Sequence, residues 1–116
     1  MDDEAGLVTL SIAARDEVAR GMRRALHGEP QGSRITFLSF ELLWKVISPK
    51  RLEILQAMAG QGPLAIREVA RRVGRDVKAV HGDVRGLLDA GLLDARTDGV
   101  VFPHAGVHVD FTLRAA

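Results

Sequence analysis

AIREVARRVGRDVKAVHGDVRGLLDAGLL, residues 65–93, is the stretch whose reading decides the fold. It divides into two short amphipathic helices. In the first, Ile66, Val69, Ala70 and Val73 recur at the spacing of one buried helical face. Gly74 breaks the pattern, because a residue without a Cβ takes the positive φ that closes a helix. Asp76 is placed to cap the next helix, in which Val77, Val80, Val84, Leu87 and Leu88 form a second apolar stripe. Gly91 ends that helix. A helix, a short glycine-containing turn and a longer helix make the outline of a helix-turn-helix.

The outer faces carry a second pattern. Arg67, Arg71, Arg72, Arg75, Lys78 and Arg85 fall within nineteen residues (67–85) and are opposed there only by Glu68, Asp76 and Asp83, so that span is net +3. On the second helix Lys78, Ala79, Gly82 and Arg85 lie opposite the apolar stripe, with His81 at the border. Small residues between cations let a helix sit deep in a major groove while long side chains reach phosphates or base edges. A helix pair with a solvated charged face has the same composition, so the next segment has to separate the two readings.

That segment is Leu92-Leu93-Asp94-Ala95-Arg96-Thr97-Asp98-Gly99-Val100-Val101-Phe102-Pro103. Asp98-Gly99 between two short strand-like runs is a hairpin signal, and the dipeptide predicts a type I′ turn. Arg96 and Thr97 fall near the predicted tip, where a wing meets a minor groove or the phosphate backbone. Helix, helix, helix and wing is the winged-helix order.

The run from Ser48-Pro49-Lys50-Arg51 through this hairpin resembles a family of small prokaryotic winged-helix transcriptional regulators, distantly related to the MarR type. Gly62 to Leu93 (GPLAIREVARRVGRDVKAVHGDVRGLLDAGLL) carries most of the likeness, and VVFP (100–103) and VHVDF (107–111) also fit. The likeness covers roughly the last two thirds of the chain, and the first third only in outline. Some members of that family are encoded beside toxin or growth-inhibitor genes. The resemblance therefore implies DNA binding, with an antitoxin-like partnership to a toxin-like protein as the alternative. One departure is Ala65, where the pattern often has a Ser helix cap; such a cap contributes about 1 kcal/mol.

Composition bounds the rest. The 116 residues suit one domain, with 47% apolar and 27% charged side chains as in ordinary globular proteins. There is no cysteine, which excludes a disulfide framework, a thiolate metal site and a cysteine nucleophile. That suits a reducing cytoplasm. Met1-Asp2-Asp3-Glu4 is acidic and lacks a signal-peptide pattern, and no apolar run approaches the ~20 residues of a membrane span. Residues 44–97 carry a net +4, against −2 for 1–43 and −1 for 98–116. Positive charge is thus concentrated in the expected reader, and a homodimer would double it.

Taken in order, Leu7–Ile12 alternates and predicts a strand with Val8, Leu10 and Ile12 on one side. Residues 14–27 read as a helix, with Asp16 and Glu17 in its first turn, Arg23 and Arg24 near its end, and Val18, Met22, Ala25 and Leu26 as a narrow stripe. Its basic face (Arg15, Arg20, Arg23, Arg24) reads as solvated, with phosphate contact as the alternative. Residues 28–33 form a loop, and Arg34–Leu38 a second strand. Strand, helix, strand allows a crossover unit in which the two strands are neighbours.

Ser39 caps an expected helix over Phe40–Ile47, in which Phe40, Leu43, Trp44 and Ile47 have helical apolar spacing. Trp44, the only tryptophan, reads as a core or interface anchor. Ser48-Pro49 starts the next helix, through Ala59, with Leu52, Ile54, Leu55 and Met58 apolar. Near the C-terminus Val107, Val109, Phe111 and Leu113 alternate with polar residues, a strand able to pair within the chain or with a second copy.

No catalytic motif appears. His104, His108 and Asp110 have the residue types of a metal site, but a solvated strand face looks the same, and no metal or other cofactor is expected. No nucleophile elbow, phosphate-binding glycine loop or dinucleotide fingerprint is present. The expectation is an α+β protein, not an enzyme: an N-terminal strand–helix–strand extension (1–39) on a winged helix-turn-helix domain (40–116). Its partner is double-stranded DNA, touched by Arg67, Arg71, Arg72, Arg75, Lys78, His81, Arg85, Arg96 and Thr97.

Overall fold

The computed structural model describes residues 6–12 and 33–112. The helix expected over 14–27, most of the loop after it, and Leu113 lie outside these. Within them the chain is α+β, with strands β1 (Leu7–Ile12), β2 (Arg34–Phe37), β3 (Asp94–Arg96), β4 (Gly99–Val101) and β5 (Gly106–Asp110). The helices are α1 (Phe40–Val46), α2 (Pro49–Met58), α3 (Ile66–Val73) and α4 (Val77–Asp89). None of these helices is long and apolar enough to cross a membrane.

Two small sheets flank the helices. In one, β1 is central and runs parallel to both neighbours, in the order β2-β1-β5. The register sets Leu10 beside Ile35 and Val109. The C-terminal strand therefore pairs within its own chain, and this sheet joins residues from both sides of position 39. Val8 and Leu10 of β1 belong to the same buried cluster as Leu43, Ile54, Leu55, Met58, Val69, Val84, Leu87, Leu92 and Phe102. Alternation placed Val8 and Leu10 correctly, while Ser11, expected on the polar side, is also buried and lies 3.3 Å from the Thr36 hydroxyl.

Helix boundaries follow local chemistry. The Ser39 hydroxyl accepts from the Leu42 N–H and the Ser48 hydroxyl from the Arg51 N–H, satisfying donors that the first turn leaves open. Asp76 caps α4 by accepting from the Lys78 and Ala79 N–H groups. Ala65 makes no side-chain cap for α3. Gly74 closes α3 at φ 67°, and the Arg75 N–H reaches back to the Ala70 carbonyl at 3.1 Å.

Several residues of the expected apolar stripes lie outside the core, and for Trp44 this leaves the interface half of its core-or-interface reading. Trp44 is 55% exposed, Val77 43% and Leu52 39%. In α1 the buried side is taken by Leu43 alone, with Ile47 buried just beyond, because a seven-residue helix lying at the margin turns only one edge inward. Val77 sits in the first turn of α4, before the helix passes under its neighbours; Val80, Val84 and Leu87 carry the stripe at 0% exposure.

The hairpin is present, but its turn differs from expectation. Arg96 pairs with Gly99, so Thr97 and Asp98 connect the strands and Gly99 opens β4. No non-glycine residue among those described has a positive φ, which excludes a type I′ turn over Thr97-Asp98. Gly99 serves a different need. Leu64 bridges to Val100 through two backbone hydrogen bonds of 2.8 and 2.9 Å, and its carbonyl lies where a Cβ on residue 99 would stand. With φ at +146°, only glycine fits without strain.

Candidate nucleic-acid interface

The 3.6-residue period of α4 places Lys78, His81, Gly82 and Arg85 on one side and Val80, Val84 and Leu87 on the other. The first four are exposed and the last three buried. Arg85 is 73% exposed and stands 3.5 Å from Asp89 one turn on, a surface pair that holds it only weakly. The face is thus a cation at each end with a histidine and a bare glycine between them.

Helix α3 presents a different arrangement. Arg71 donates two bonds to the Glu68 carboxylate, at 2.7 and 2.6 Å, and Arg72 donates one at 2.8 Å. Arg72 also reaches the Gln61 amide oxygen at 3.0 Å. The hydrogen bonds from Arg71, then those from Arg72, hold the Glu68 carboxyl at a pKa of about 2, below its ordinary 4.5. Two guanidinium groups are pre-oriented around one carboxylate, with Arg71 the more open at 72% exposure. Arg67 is exposed on the same helix. In the hairpin Arg96 and Thr97 are exposed, with Arg96 3.8 Å from Asp94.

Arg75 does not join this outer set. Its side chain is 18% exposed and its Nη2 pairs with Asp83 Oδ2 at 2.9 Å. The other oxygen of Asp83 accepts from Arg51 Nε at 3.1 Å. Burial pushes the Asp83 carboxyl up, but the hydrogen bonds from Arg51 and Arg75 outweigh it and leave it below its ordinary value. Arg51 Nη1 also donates to the Lys45 and Val46 carbonyls at the end of α1. Sequence reasoning placed Arg75 among the DNA contacts, counted Asp83 only as an opposing charge and passed over Arg51. The one local signal was Gly86, a glycine inside a helical pattern: a Cβ there would stand 2.5–2.7 Å from the Arg51 guanidinium.

An apolar groove of about 270 Å³ lies between α2 and the start of β5, lined by Leu52, Leu55, Gln56, Phe102 and Val107 among others. It contains no titratable group. His104 packs edge-on against Phe102 at 5.4 Å, and among the described residues no three His, Cys, Asp or Glu side chains are grouped as a metal ion would require.

Fold and surface together define a small α+β protein with a basic helix face followed in the chain by a β-hairpin. The chain belongs to the HVO_A0114 family, whose model matches residues 46–109, from the last residue of α1 into β5. No curated protein matches the chain.

Proposed function

We propose that the protein is a sequence-specific, double-stranded DNA-binding transcriptional regulator, a winged helix-turn-helix with an N-terminal strand–helix–strand extension, working as a homodimer. The observation that carries this reading is the exposed face of α4: Lys78, His81, Gly82 and Arg85 opposite a fully buried stripe. At ~1.5 Å per residue the helix is about 20 Å long, enough to lie along a major groove. The order α2, Leu64 bridge, α3, α4, β3–β4 hairpin supports the winged-helix assignment, with Leu64 as the third member of the wing sheet.

In this reading Lys78, His81 and Arg85 meet base edges or groove walls. Arg67, Arg71 and Arg72 meet phosphates, with Glu68 holding two of them in place until a phosphate displaces it. Arg96 and Thr97 act from the wing. Arg75 is withdrawn from the phosphate set because Asp83 already holds it. One module reads few base pairs, so specificity requires two half-sites about one helical turn apart.

A second reading, an antitoxin-like or other protein-interaction module on the same scaffold, is favoured by the apolar side chains left in the open: Leu38 at 61% exposure, Trp44 at 55% and Leu42 at 45%. Fluorescence anisotropy against the DNA upstream of the protein's own gene, with scrambled competitor and a salt series, separates the two. Arg85→Ala is expected to relax sequence preference, and Arg71→Ala to weaken binding to every duplex and shallow the salt slope by about 1. Identical behaviour of the two variants refutes the division of labour. No binding by the wild-type protein even at low salt refutes the DNA reading and leaves the partner reading.

A further inference from the structure

We propose that Asp83 is the positioning residue of the reading helix: clamped by Arg51 from α2 and by Arg75 from the α3–α4 turn, it fixes the roll of α4 and thereby selects which outer side chains meet base edges. This rests on the DNA-reading function above and adds what sets the sequence preference of that site.

The buried stripe of α4 cannot fix the roll alone. Val80, Val84 and Leu87 gain from leaving water, and that gain is non-directional. A modest roll keeps all three covered. A carboxylate held on both oxygens is directional, and Asp83 is held from two different parts of the chain, by a hydrogen bond from Arg51 Nε at 3.1 Å on one oxygen and by an ion pair with Arg75 Nη2 at 2.9 Å on the other. Arg51 is anchored through its side chain and Arg75 through its backbone, the Arg75 Nη1 being buried without a hydrogen-bond partner. Arg51 is held at its far end by the Lys45 and Val46 carbonyls, at 3.2 and 3.0 Å, and its guanidinium lies against Gly86. Arg75 follows directly on Gly74, with its N–H bonded to the Ala70 carbonyl.

Asp83 and Gly86 are three apart, so they share the flank of α4 between the buried stripe and the reading face. Clamping that flank leaves Lys78, His81 and Arg85 with one presentation. The side chains of Arg51, Asp83 and Arg75 are 20%, 19% and 18% exposed, which shields the clamp from bulk salt. At a side-chain radius of about 5–6 Å, a 20° roll moves the reading atoms by about 2 Å, enough to lose a hydrogen bond to a base.

The test uses Asp83→Asn, which keeps the shape but puts an amide NH2 against one arginine, and Arg51→Lys, which keeps the charge but removes the planar fork. The probe DNA is the duplex enriched by the wild-type protein from a random pool, compared with a scramble of equal composition. Both variants are expected to lose about tenfold or more of the enriched-over-scrambled affinity ratio, while affinity for the scramble is not weakened. A second readout needs no DNA. The chain has no cysteine, so a nitroxide pair on Glu53→Cys and Ala79→Cys reports the α2–α4 distance distribution by pulsed EPR, expected narrow with Asp83 and broadened or shifted with Asn.

An unchanged affinity ratio in a variant folded by circular dichroism overturns the proposal. So does a lost ratio with an unchanged distance distribution, since Asp83 would then act through its charge on the DNA and not through position. Should Asp83→Asn fail to fold, Arg51→Lys decides alone. A wild-type protein that enriches no sequence overturns the DNA reading and this proposal with it. A discriminating wild type with indifferent variants overturns this proposal only.

Discussion

Replacing Gly86 by alanine sets two well-understood effects against each other, and the structure says which wins. In an exposed helix interior Gly→Ala gains about 1 kcal/mol from helix propensity. Gly86, however, faces the Arg51 guanidinium, and a Cβ there stands 2.5 Å from Nη2 and 2.7 Å from Cζ. The obstacle is the far end of a flexible side chain, so it moves; what is lost is what it was holding. Moving it strips the 3.1 Å bond to Asp83 and the 3.0 Å bond to the Val46 carbonyl, while the exposed bond to Lys45 counts for little. At roughly 1.5–3 kcal/mol for a bond to a charged group, discounted for partial exposure, the loss is about 2–4 kcal/mol. The net expectation for Gly86→Ala is a destabilisation of about 1–3 kcal/mol, measured as the urea midpoint at constant slope. In an Arg51→Ala background the same change is expected to stabilise by about 1 kcal/mol. Stabilisation by Gly86→Ala in the otherwise wild-type protein refutes the reasoning and places Arg51 elsewhere.

Three further outcomes follow from the same packing. Leu87→Ala, at a position with 0% exposure, is expected to cost about 2–5 kcal/mol in chemical denaturation, whereas Val77→Ala, at 43% exposure, should cost well under half of that. Gly99→Ala drives a Cβ into the Leu64 carbonyl at a φ reserved for glycine, and should cost about 1–3 kcal/mol with faster amide exchange at Leu64 and Val100. Acid titration should show stability present above about pH 4.5 and lost as pH falls toward about 2, because Glu68 and Asp83 are both held below their ordinary values in the folded state and must bind protons to unfold. Glu68→Gln should flatten part of that acid limb, and an unchanged limb would show that the Arg71 and Arg72 contacts do not bias its ionisation in solution.

Much of the architecture was legible in residue order alone, because the interactions concerned are local. Ser39, Ser48 and Asp76 accept bonds from N–H groups two or three residues on, and Gly74 needs only its own φ, so caps and breaks appear where the sequence puts them. The split of α4 into a buried stripe and an exposed face with Lys78, His81 and Arg85 follows from the helical period and needed no partner to be read. Tertiary structure decided what depends on contacts distant in sequence. Gly99 resembles a turn residue until Leu64, thirty-five positions earlier, is seen to lie across it. Arg75 resembles a phosphate contact until Asp83 and Arg51 are found around it, and Trp44 reads equally as core or interface anchor until α1 proves to lie at the edge, which removes the core half of that reading. An arginine's reach exceeds a helical turn, so its partner is chosen by which helices pack together. That choice, made by the whole core at once, turns Arg51 and Asp83 into the clamp beneath the exposed face of α4.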